Sequence, residues 1–225
     1  MPSEPVVAVC TNRSPAAVAE ALAALAGQAP ADRIAVVTSG LSPDRVAAHR
    51  ASAPGPVLVE AGPGLSLARN RALDWAPAGG AIAYVDDDAV VGPGWWDALV
   101  RRWAEAAPDV AVIGGPILPR WSIPAPRWVS DPILPALTLL DLGPTERELD
   151  PEVTTVFGAN ISFAIDPLRQ AGGFDPAYGH SGNRVFFSEE DEAQRALARR
   201  GYRVLYAPEL SVQHVIAPGR LTRRS

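Results

Sequence analysis

An α/β domain organised around a mostly parallel sheet is what this sequence encodes, and three features say so. Short β-branched apolar runs alternate with stretches of helical periodicity through the first half of the chain. Those runs are apolar along their whole length, as strands covered on both faces are. Three of them stop at polar turns, and in open α/β sheets ligands gather where strands end at their carboxyl side.

The elements follow in order. Val6 to Cys10 is a first strand ending in Thr11-Asn12-Arg13; Ser14-Pro15 then opens a helix carrying Val18, Leu22 and Leu25 at helical spacing and stopped by Gly27. Ile34 to Val37 repeats the pattern, with Thr38-Ser39-Gly40 at its end and a helix restarting at Ser42-Pro43. Pro56 to Glu60 reads as a third strand, Ser66 to Trp75 as a third helix, and Ala81 to Val85 as a fourth strand running into Asp86-Asp87-Asp88. A helix is expected from about Pro93 to Ala106. From about Pro116 to Pro151 prolines recur every few residues, which predicts a long irregular connection, a kind of segment that is often functional. Beyond it, Asn160 to Ile165 reads as a strand, Glu189 to Arg200 as a helix, and Arg203 to Tyr206 and Leu210 to Val215 as two more strands.

Composition excludes several classes of function. The 225 residues, 48% hydrophobic and 20% charged, suit one domain over 1–225 with a substantial core. A single cysteine, Cys10, rules out a disulfide framework or a zinc cluster of paired cysteines and fits a reducing compartment. The net charge of −5 argues against a nucleic-acid partner. Every cation apart from three histidines is arginine, so mechanisms that need a lysine Schiff base or a P-loop lysine are excluded. No basic leader precedes the first apolar run, and no apolar stretch reaches the roughly 20 residues of a membrane span. The expectation is a cytoplasmic protein without a transmembrane segment, with peripheral membrane contact left open.

The residues that could carry chemistry are acidic. In an extended strand Asp86 and Asp88 would face one way, about 7 Å apart, with Asp87 on the other face. One carboxylate could then take Mg²⁺ or Mn²⁺ and another a ribose hydroxyl. The alternative is a cluster capping the next helix. A second run, Glu189-Glu190-Asp191-Glu192, opens a helix; Ser188 and Asp191 have capping-box spacing, whereas Glu189 and Glu190 are not needed for a cap and could supply a general base. His214 alone reads as a core histidine and Arg220 as a solvated charge. Trp95 and Trp96 could fill core or touch an acceptor.

Taken in order, Thr11-Asn12-Arg13, Leu67-Ala68-Arg69-Asn70, Val85-Asp86-Asp87-Asp88 before Pro93, Gly158-Ala159-Asn160, Gly172-Gly173-Phe174-Asp175, Glu189-Glu190-Asp191-Glu192, Gly201-Tyr202-Arg203 and His214 before Arg220 resemble the GT-A glycosyltransferases of family 2. The resemblance covers nearly the whole chain and implies a Rossmann-like GT-A domain. Residues up to about 115 would hold the nucleotide sugar; a smaller second half from about 116 would carry the acceptor side and the catalytic base. It implies that Thr11, Asn12, Arg13, Arg69 and Asn70 lie near the donor nucleotide, that Asp86 or Asp87 holds the ribose, and that Asp88 holds a divalent metal. Registered on Gly201-Tyr202, the acidic run puts Glu190 at the base position with Asp191 beside it. His214 and Arg220 would close the site over metal and diphosphate, and Asn160, Trp95 and the Tyr178-to-Phe187 loop would face the acceptor. Many relatives carry an aspartate where this chain has Thr38 and Ser39, so Ser39 would meet the donor base without charge and the nucleotide stays open.

The reaction so implied is inverting transfer of a sugar from a nucleotide-diphosphate sugar to an acceptor hydroxyl on a glycan, a lipid-linked sugar or a natural product. Glu190, made more basic by apolar surroundings and neighbouring carboxylates, would take the acceptor's proton. The competing readings are a non-catalytic nucleotide-sugar-binding module and a sugar-nucleotide synthesising nucleotidyltransferase. The second would want a glycine-rich loop after the first strand and a nearby lysine, and the sequence has neither.

Overall fold

The computed structural model describes residues 4–178 and 189–221. The alternating first half is β1 (Val6–Thr11), α1 (Pro15–Ala26), β2 (Ile34–Ser39), α2 (Pro43–Ser52), β3 (Val57–Glu60), α3 (Leu65–Trp75) and β4 (Ala81–Val85). Proline occupies the first turn of α1 and of α2, where its missing N–H is no loss and its fixed φ suits the helix. The second half is less regular: β5 (Ala89–Val91), α4 (Trp95–Glu105), β6 (Val110–Gly114), β7 (Ile117–Trp121), β8 (Arg147–Leu149), β9 (Asn160–Ala164), α5 (Ile165–Gln170), α6 (Glu189–Ala198), β10 (Arg203–Tyr206) and β11 (Val212–Ile216).

Eight strands form one sheet in the order β3-β2-β1-β4-β9-β6-β10-β8, and β5-β11-β7 form a second, smaller one. In the large sheet β3–β2, β2–β1, β1–β4 and β6–β10 pair parallel, whereas β9 runs antiparallel to both neighbours and β8 antiparallel to β10. The sheet is thus mostly parallel, with the reversal concentrated in the second half. The core is built from strand residues such as Val7, Val9, Val36, Ile82 and Phe163, with Leu22 and Leu25 of α1 packed into it. Tyr84, Phe163 and Phe174 meet edge to face with centroids 5.3, 5.5 and 6.2 Å apart.

Register aligns the functional edge. Thr11 lies opposite Thr38, and Val85 opposite Asn160, so the carboxyl ends of β1, β2 and β4 share an edge with the start of the reversed β9. Two expectations are corrected there. Strand β4 stops at Val85, and the three aspartates form a turn closed by the Ala89 N–H on the Asp86 carbonyl at 3.0 Å, so side-chain alternation does not govern them. Nor do they cap the next helix, because β5 intervenes and α4 starts at Trp95 behind Gly94, whose φ is 76°.

The proline-rich stretch contains more structure than its composition suggested. Strand β7, a 3-10 turn at Asp131–Leu137 and β8 all lie within it. Strand β7 pairs with β11, nearly a hundred residues later in sequence. Strand β11 also pairs antiparallel with β5, setting His214 opposite Ala89.

Candidate active site

A groove of about 610 Å³ opens at the shared strand edge. It is lined by Cys10 and Thr11 at the end of β1 with Asn12 and Arg13 beyond it, Ser39 at the end of β2, Pro63 to Leu67 at the start of α3, the acidic turn Asp86–Asp88, and Glu189, His214 and Arg220. A cleft of this size with a few converging polar groups suits a small-molecule ligand.

The acidic turn is wired to its neighbours. Thr11 Oγ1 donates to Asp87 Oδ2 and accepts from the Arg13 N–H at 3.0 Å. One guanidinium nitrogen, Arg13 Nη1, lies 3.2 Å from Asp87 Oδ1 and 3.4 Å from Asp88 Oδ2. His214 Nε2 stands 3.0 Å from Asp88 Oδ1, the Val215 N–H donates to the Asp88 carbonyl, and His214 Nδ1 faces the Leu137 carbonyl at 3.0 Å. Arg220 approaches His214 Nε2 at 3.3 Å and donates to the Ala136 carbonyl and to Thr138 Oγ1. Thr138 holds a left-handed conformation, φ 60°, uncommon for a β-branched residue and a marker of strain worth holding at a working site. The irregular segment therefore props up the His214–Arg220 side of the groove.

These partners separate the three carboxyls. Burial and the nearby Asp88 and Glu190 push Asp86 up to about 6 even though Arg69 opposes them. Burial likewise raises Asp87 against its bonds to Thr11 and Arg13. For Asp88, burial is outweighed by His214, Arg13 and Arg220, which hold its carboxyl below the usual range. Asp88 is the anion a metal would meet.

Among the described residues no group of three or more His, Cys, Asp or Glu side chains converges on one point. Asp88 and His214, in direct contact at 3.0 Å, are a carboxylate–imidazole pair that could hold a cation. The Leu137 carbonyl accepts from Nδ1 and fixes the ring, which leaves Nε2, beside Asp88 Oδ1 and Arg220, as the nitrogen that could hold a cation shared with Asp88. A carboxylate, an imidazole and phosphate oxygens form a donor set that Mn²⁺ accepts.

The second acidic group lies beside Arg69. That side chain is buried on α3, 2% exposed, and its Nη1 bridges Glu189 Oε1 at 2.8 Å and Glu190 Oε2 at 2.9 Å. Tyr84 and Phe174 lie under the guanidinium at 5.8 and 5.6 Å. Glu190 Oε1 also accepts the Gly158 N–H at 3.0 Å. Burial alone would raise the Glu190 carboxyl, but Arg69 and the N–H groups outweigh it and hold it below its ordinary value. The expectation of a Glu190 made more basic by apolar surroundings is corrected accordingly. Glu189, which the sequence did not single out from its neighbour, lines the groove.

Several expected contacts resolve into support. Asn70 is spent on a two-point grip, donating to the Phe174 carbonyl at 2.7 Å and accepting its N–H at 2.8 Å. Arg69 is held by the glutamates and does not line the groove. Asp191 accepts from Thr155 Oγ1, on the loop before β9. Trp95 and Asn160, expected to face an acceptor, are buried and bonded to each other: the indole N–H donates to Asn160 Oδ1 at 3.2 Å, and Asn160 Nδ2 donates to the carbonyls of Pro116 and Leu210. Through those two carbonyls, just before β7 and β11, Asn160 of β9 ties the two sheets together, and the Trp95 indole of α4 holds it there. Ser39 lines the groove, but its hydroxyl already donates to the Gly62 carbonyl and accepts the Gly64 N–H. Of the Tyr178-to-Phe187 loop only Tyr178 is described, and its carbonyl accepts from Ser66 Oγ. His180, Phe186, Phe187 and the Ser188 cap lie outside the described residues.

Sequence reasoning also passed over α2. Arg45 donates to the Asn12 carbonyl and His49 Nε2 faces the Arg13 carbonyl at 3.0 Å, fixing the loop after β1 from one helix face. The i, i+4 spacing of these two residues was the available signal.

Comparison with known proteins places this geometry. In sequence, residues 6–160 match the family model described as "Glycosyl transferase family 2". A curated relative from Haloferax volcanii, "Glucosyl-dolichyl phosphate glucuronosyltransferase", is 30% identical over 152 residues, covering 67% of this chain and 47% of that protein. The chain thus spans about half the length of the curated relative it matches. Among solved structures, the mannosyltransferase PcManGT from Pyrobaculum calidifontis with GDP-Man and Mn²⁺ superposes with a TM-score of 0.68 at 20% identity, covering 97% of this chain and 58% of that one. GalNAc-T7 with UDP, GalNAc and Mn²⁺ gives 0.68 at 12% identity over 99% of this chain and 45% of that one. TarS 1-349 of S. aureus gives 0.61 at 18% over 92% and 60%. Those structural likenesses share the GT-A fold, and the family match, which covers more than half the residues, shows that this chain belongs to glycosyl transferase family 2.

Proposed function

We propose that the groove binds a nucleotide-diphosphate sugar with a divalent metal and transfers the sugar, with inversion, to an acceptor hydroxyl. The observation that carries this reading is that two acidic groups from distant parts of the sequence, Asp86–Asp88 and Glu189, line the same groove. Both structural neighbours that were solved with nucleotide ligands hold Mn²⁺, which supports the metal.

Asp88 and His214 would hold the cation, which when bound supplies Lewis-acid stabilisation of the departing diphosphate. Asp86 or Asp87 would take the ribose, and Thr11, Asn12 and Arg13 the nucleotide and diphosphate. Arg220, fixed through Ala136 and Thr138, adds positive charge on the His214 side, where the leaving group becomes more negative. The Glu189–Glu190 pair supplies the base: Glu190 sits at the family's base position and stays ionised at working pH, and Glu189 lines the groove. The acceptor hydroxyl attacks the anomeric carbon opposite the diphosphate, its proton passes to a carboxylate, and the sugar–phosphate bond breaks.

For the acceptor, the name of the Haloferax relative supports a lipid-linked sugar ahead of a free glycan or natural product. Among the described residues no helix is long and apolar enough to cross a membrane, so such an acceptor would be met by peripheral contact.

The test is nucleotide release from a panel of nucleotide sugars, with and without Mn²⁺ and candidate acceptors. Release that requires metal and acceptor is expected, and Asp88→Ala should remove the metal-stimulated part while the protein stays folded. Glu190→Gln should lower turnover by roughly 10²-fold or more, the usual worth of a general base. If only Glu189→Gln does so, the base is Glu189. Binding without turnover for every donor would leave a nucleotide-sugar-binding module instead.

A further inference from the structure

We propose that Arg13 is an exchangeable counter-cation: it neutralises the acidic turn when the groove holds no ligand and moves to the diphosphate when metal and donor arrive, coupling the two binding events. The inference rests on the metal and donor reading above, and it concerns how that site assembles.

Three observations carry it. Arg13 Nη1 bridges Asp87 and Asp88, and its side chain is 43% exposed. The bond to Asp88 falls on Oδ2, while Oδ1 faces His214, so the guanidinium shares the carboxylate on which a metal would sit. The backbone beneath it is pinned at three points: the Arg13 N–H on Thr11 Oγ1, its carbonyl against His49 Nε2, and the Asn12 carbonyl under Arg45. A fixed backbone and a solvent-exposed side chain leave the guanidinium free to change partner without rearranging the loop. Arg220, the other arginine in the groove, is tied to the Ala136 carbonyl and to Thr138.

The electrostatics then set the order of events. A divalent cation on Asp88 and His214 repels a guanidinium sharing that carboxylate, so metal alone binds against Arg13. A nucleoside diphosphate brings phosphate oxygens that a guanidinium bonds in a bidentate fork. The displaced Arg13 therefore gains a partner only when both ligands are present. Each ligand raises the affinity for the other, and the effect is reciprocal by thermodynamic necessity.

Calorimetric titration of wild type, Arg13→Ala, Arg13→Lys and Asp88→Ala tests this, with Mn²⁺ alone, UDP or GDP alone, and each nucleotide at saturating Mn²⁺ as probes. Arg13→Ala is expected to bind Mn²⁺ alone about two- to fivefold more tightly, the worth of an exposed ion pair. It should bind the preferred nucleotide at saturating Mn²⁺ about tenfold or more weakly, the worth of a charged hydrogen bond. Arg13→Lys, which keeps the charge and loses the fork, should return Mn²⁺ affinity to near the wild-type value and restore only part of the nucleotide affinity. The proposal is overturned if Arg13→Ala leaves Mn²⁺ affinity unchanged or weakens it, or if it changes metal and nucleotide affinity by one common factor. The parent reading fails separately: Mn²⁺ binding that Asp88→Ala leaves intact would remove the metal site itself. Loss of Mn²⁺ binding in Asp88→Ala without tightening in Arg13→Ala would remove only the exchange.

Discussion

One bonding pattern occurs twice in this molecule with opposite consequences. In the groove Arg13 Nη1 bridges two successive carboxylates, Asp87 and Asp88, at 3.2 and 3.4 Å; behind its wall, Arg69 Nη1 bridges Glu189 and Glu190 at 2.8 and 2.9 Å. Arg13 is 43% exposed and Arg69 is 2% exposed. Water can take over either partner in the first cluster, so its charges are available for exchange with ligands. In the second, Arg69 is enclosed by protein and serves the architecture, holding Glu189 and Glu190 in place at the groove wall. Burial, more than the choice of residues, separates a binding group from a structural one.

The largest expected effect lies at Arg69. Replacing it with methionine leaves two buried carboxylates without their cation, and breaking a buried pair in this way costs about 3–5 kcal/mol. Urea unfolding should show that loss, and Arg69→Met combined with Glu190→Gln should lose less than the sum of the two single changes, because the second removes a charge the first stranded. Arg13→Met should cost no more than about 0.5 kcal/mol, as a surface substitution does. Equal losses at the two arginines would abolish the contrast.

Gly158 tests how tightly the buried cluster is packed. A Cβ at that position would come within 2.0 Å of Arg69 Nη2 and 2.7 Å of Glu190 Oε1. Arg69 is a long side chain, yet its bonds to both glutamates leave it nowhere to retreat. Gly158→Ala should therefore destabilise by about 1–3 kcal/mol, typical of overpacking. Unchanged unfolding would mean that Arg69 can move aside and that the cluster is looser than its distances imply.

The same two ends differ in how plainly they could be read from sequence. The donor end is made of β1, β2 and β4, each followed by a polar turn, and local patterning suffices because each strand's neighbour is reached through the next helix. The acidic run holding Asp88 stood out in the sequence, whereas His214 and Arg220 were reachable only through the family resemblance, since His214 meets Asp88 across a β5–β11 pairing that no local pattern announces. Strand β7 was missed for a related reason: Pro119 lies within it, and its partner β11 is far along the chain. The end of β4 at Val85 was read correctly, but the acidic turn was misjudged because nothing in three successive aspartates distinguishes extended backbone from a turn, and the Asp86–Ala89 turn changes which way every aspartate points. Asn160 was placed at the acceptor by the family resemblance and Trp95 by an aromatic face near an acidic motif; only the bonds of Asn160 to the carbonyls of Pro116 and Leu210, and of the Trp95 indole to Asn160, show that the pair serves the junction between the two sheets.

The smallest effect is a dependence on pH that belongs to the buried cluster. Burial tends to raise the Glu190 carboxyl, but Arg69 and the backbone N–H groups of Glu190 and Gly158 hold it below the 4.5 of an unfolded chain. Glu189 and Asp86 are the other charged groups that share this surrounding, and they bond to or act on the same Arg69. A carboxyl with a depressed folded pKa contributes stability that is fully present above its unfolded value and is lost as pH falls through the folded value. Wild type should therefore lose stability relative to Glu190→Gln as pH is lowered from 5 through 4.5 and below, the two curves converging toward acid. Above about pH 7 their difference should be flat, because Glu190 is ionised in both folded and unfolded chains there and Asp86, which Glu190 helps push up to about 6, has ionised as well. Urea unfolding of the two proteins from pH 7 to pH 3 measures it. A difference that instead grew as pH fell below 5 would place the folded pKa above 4.5, and Arg69 would then not be what fixes Glu190 as an anion.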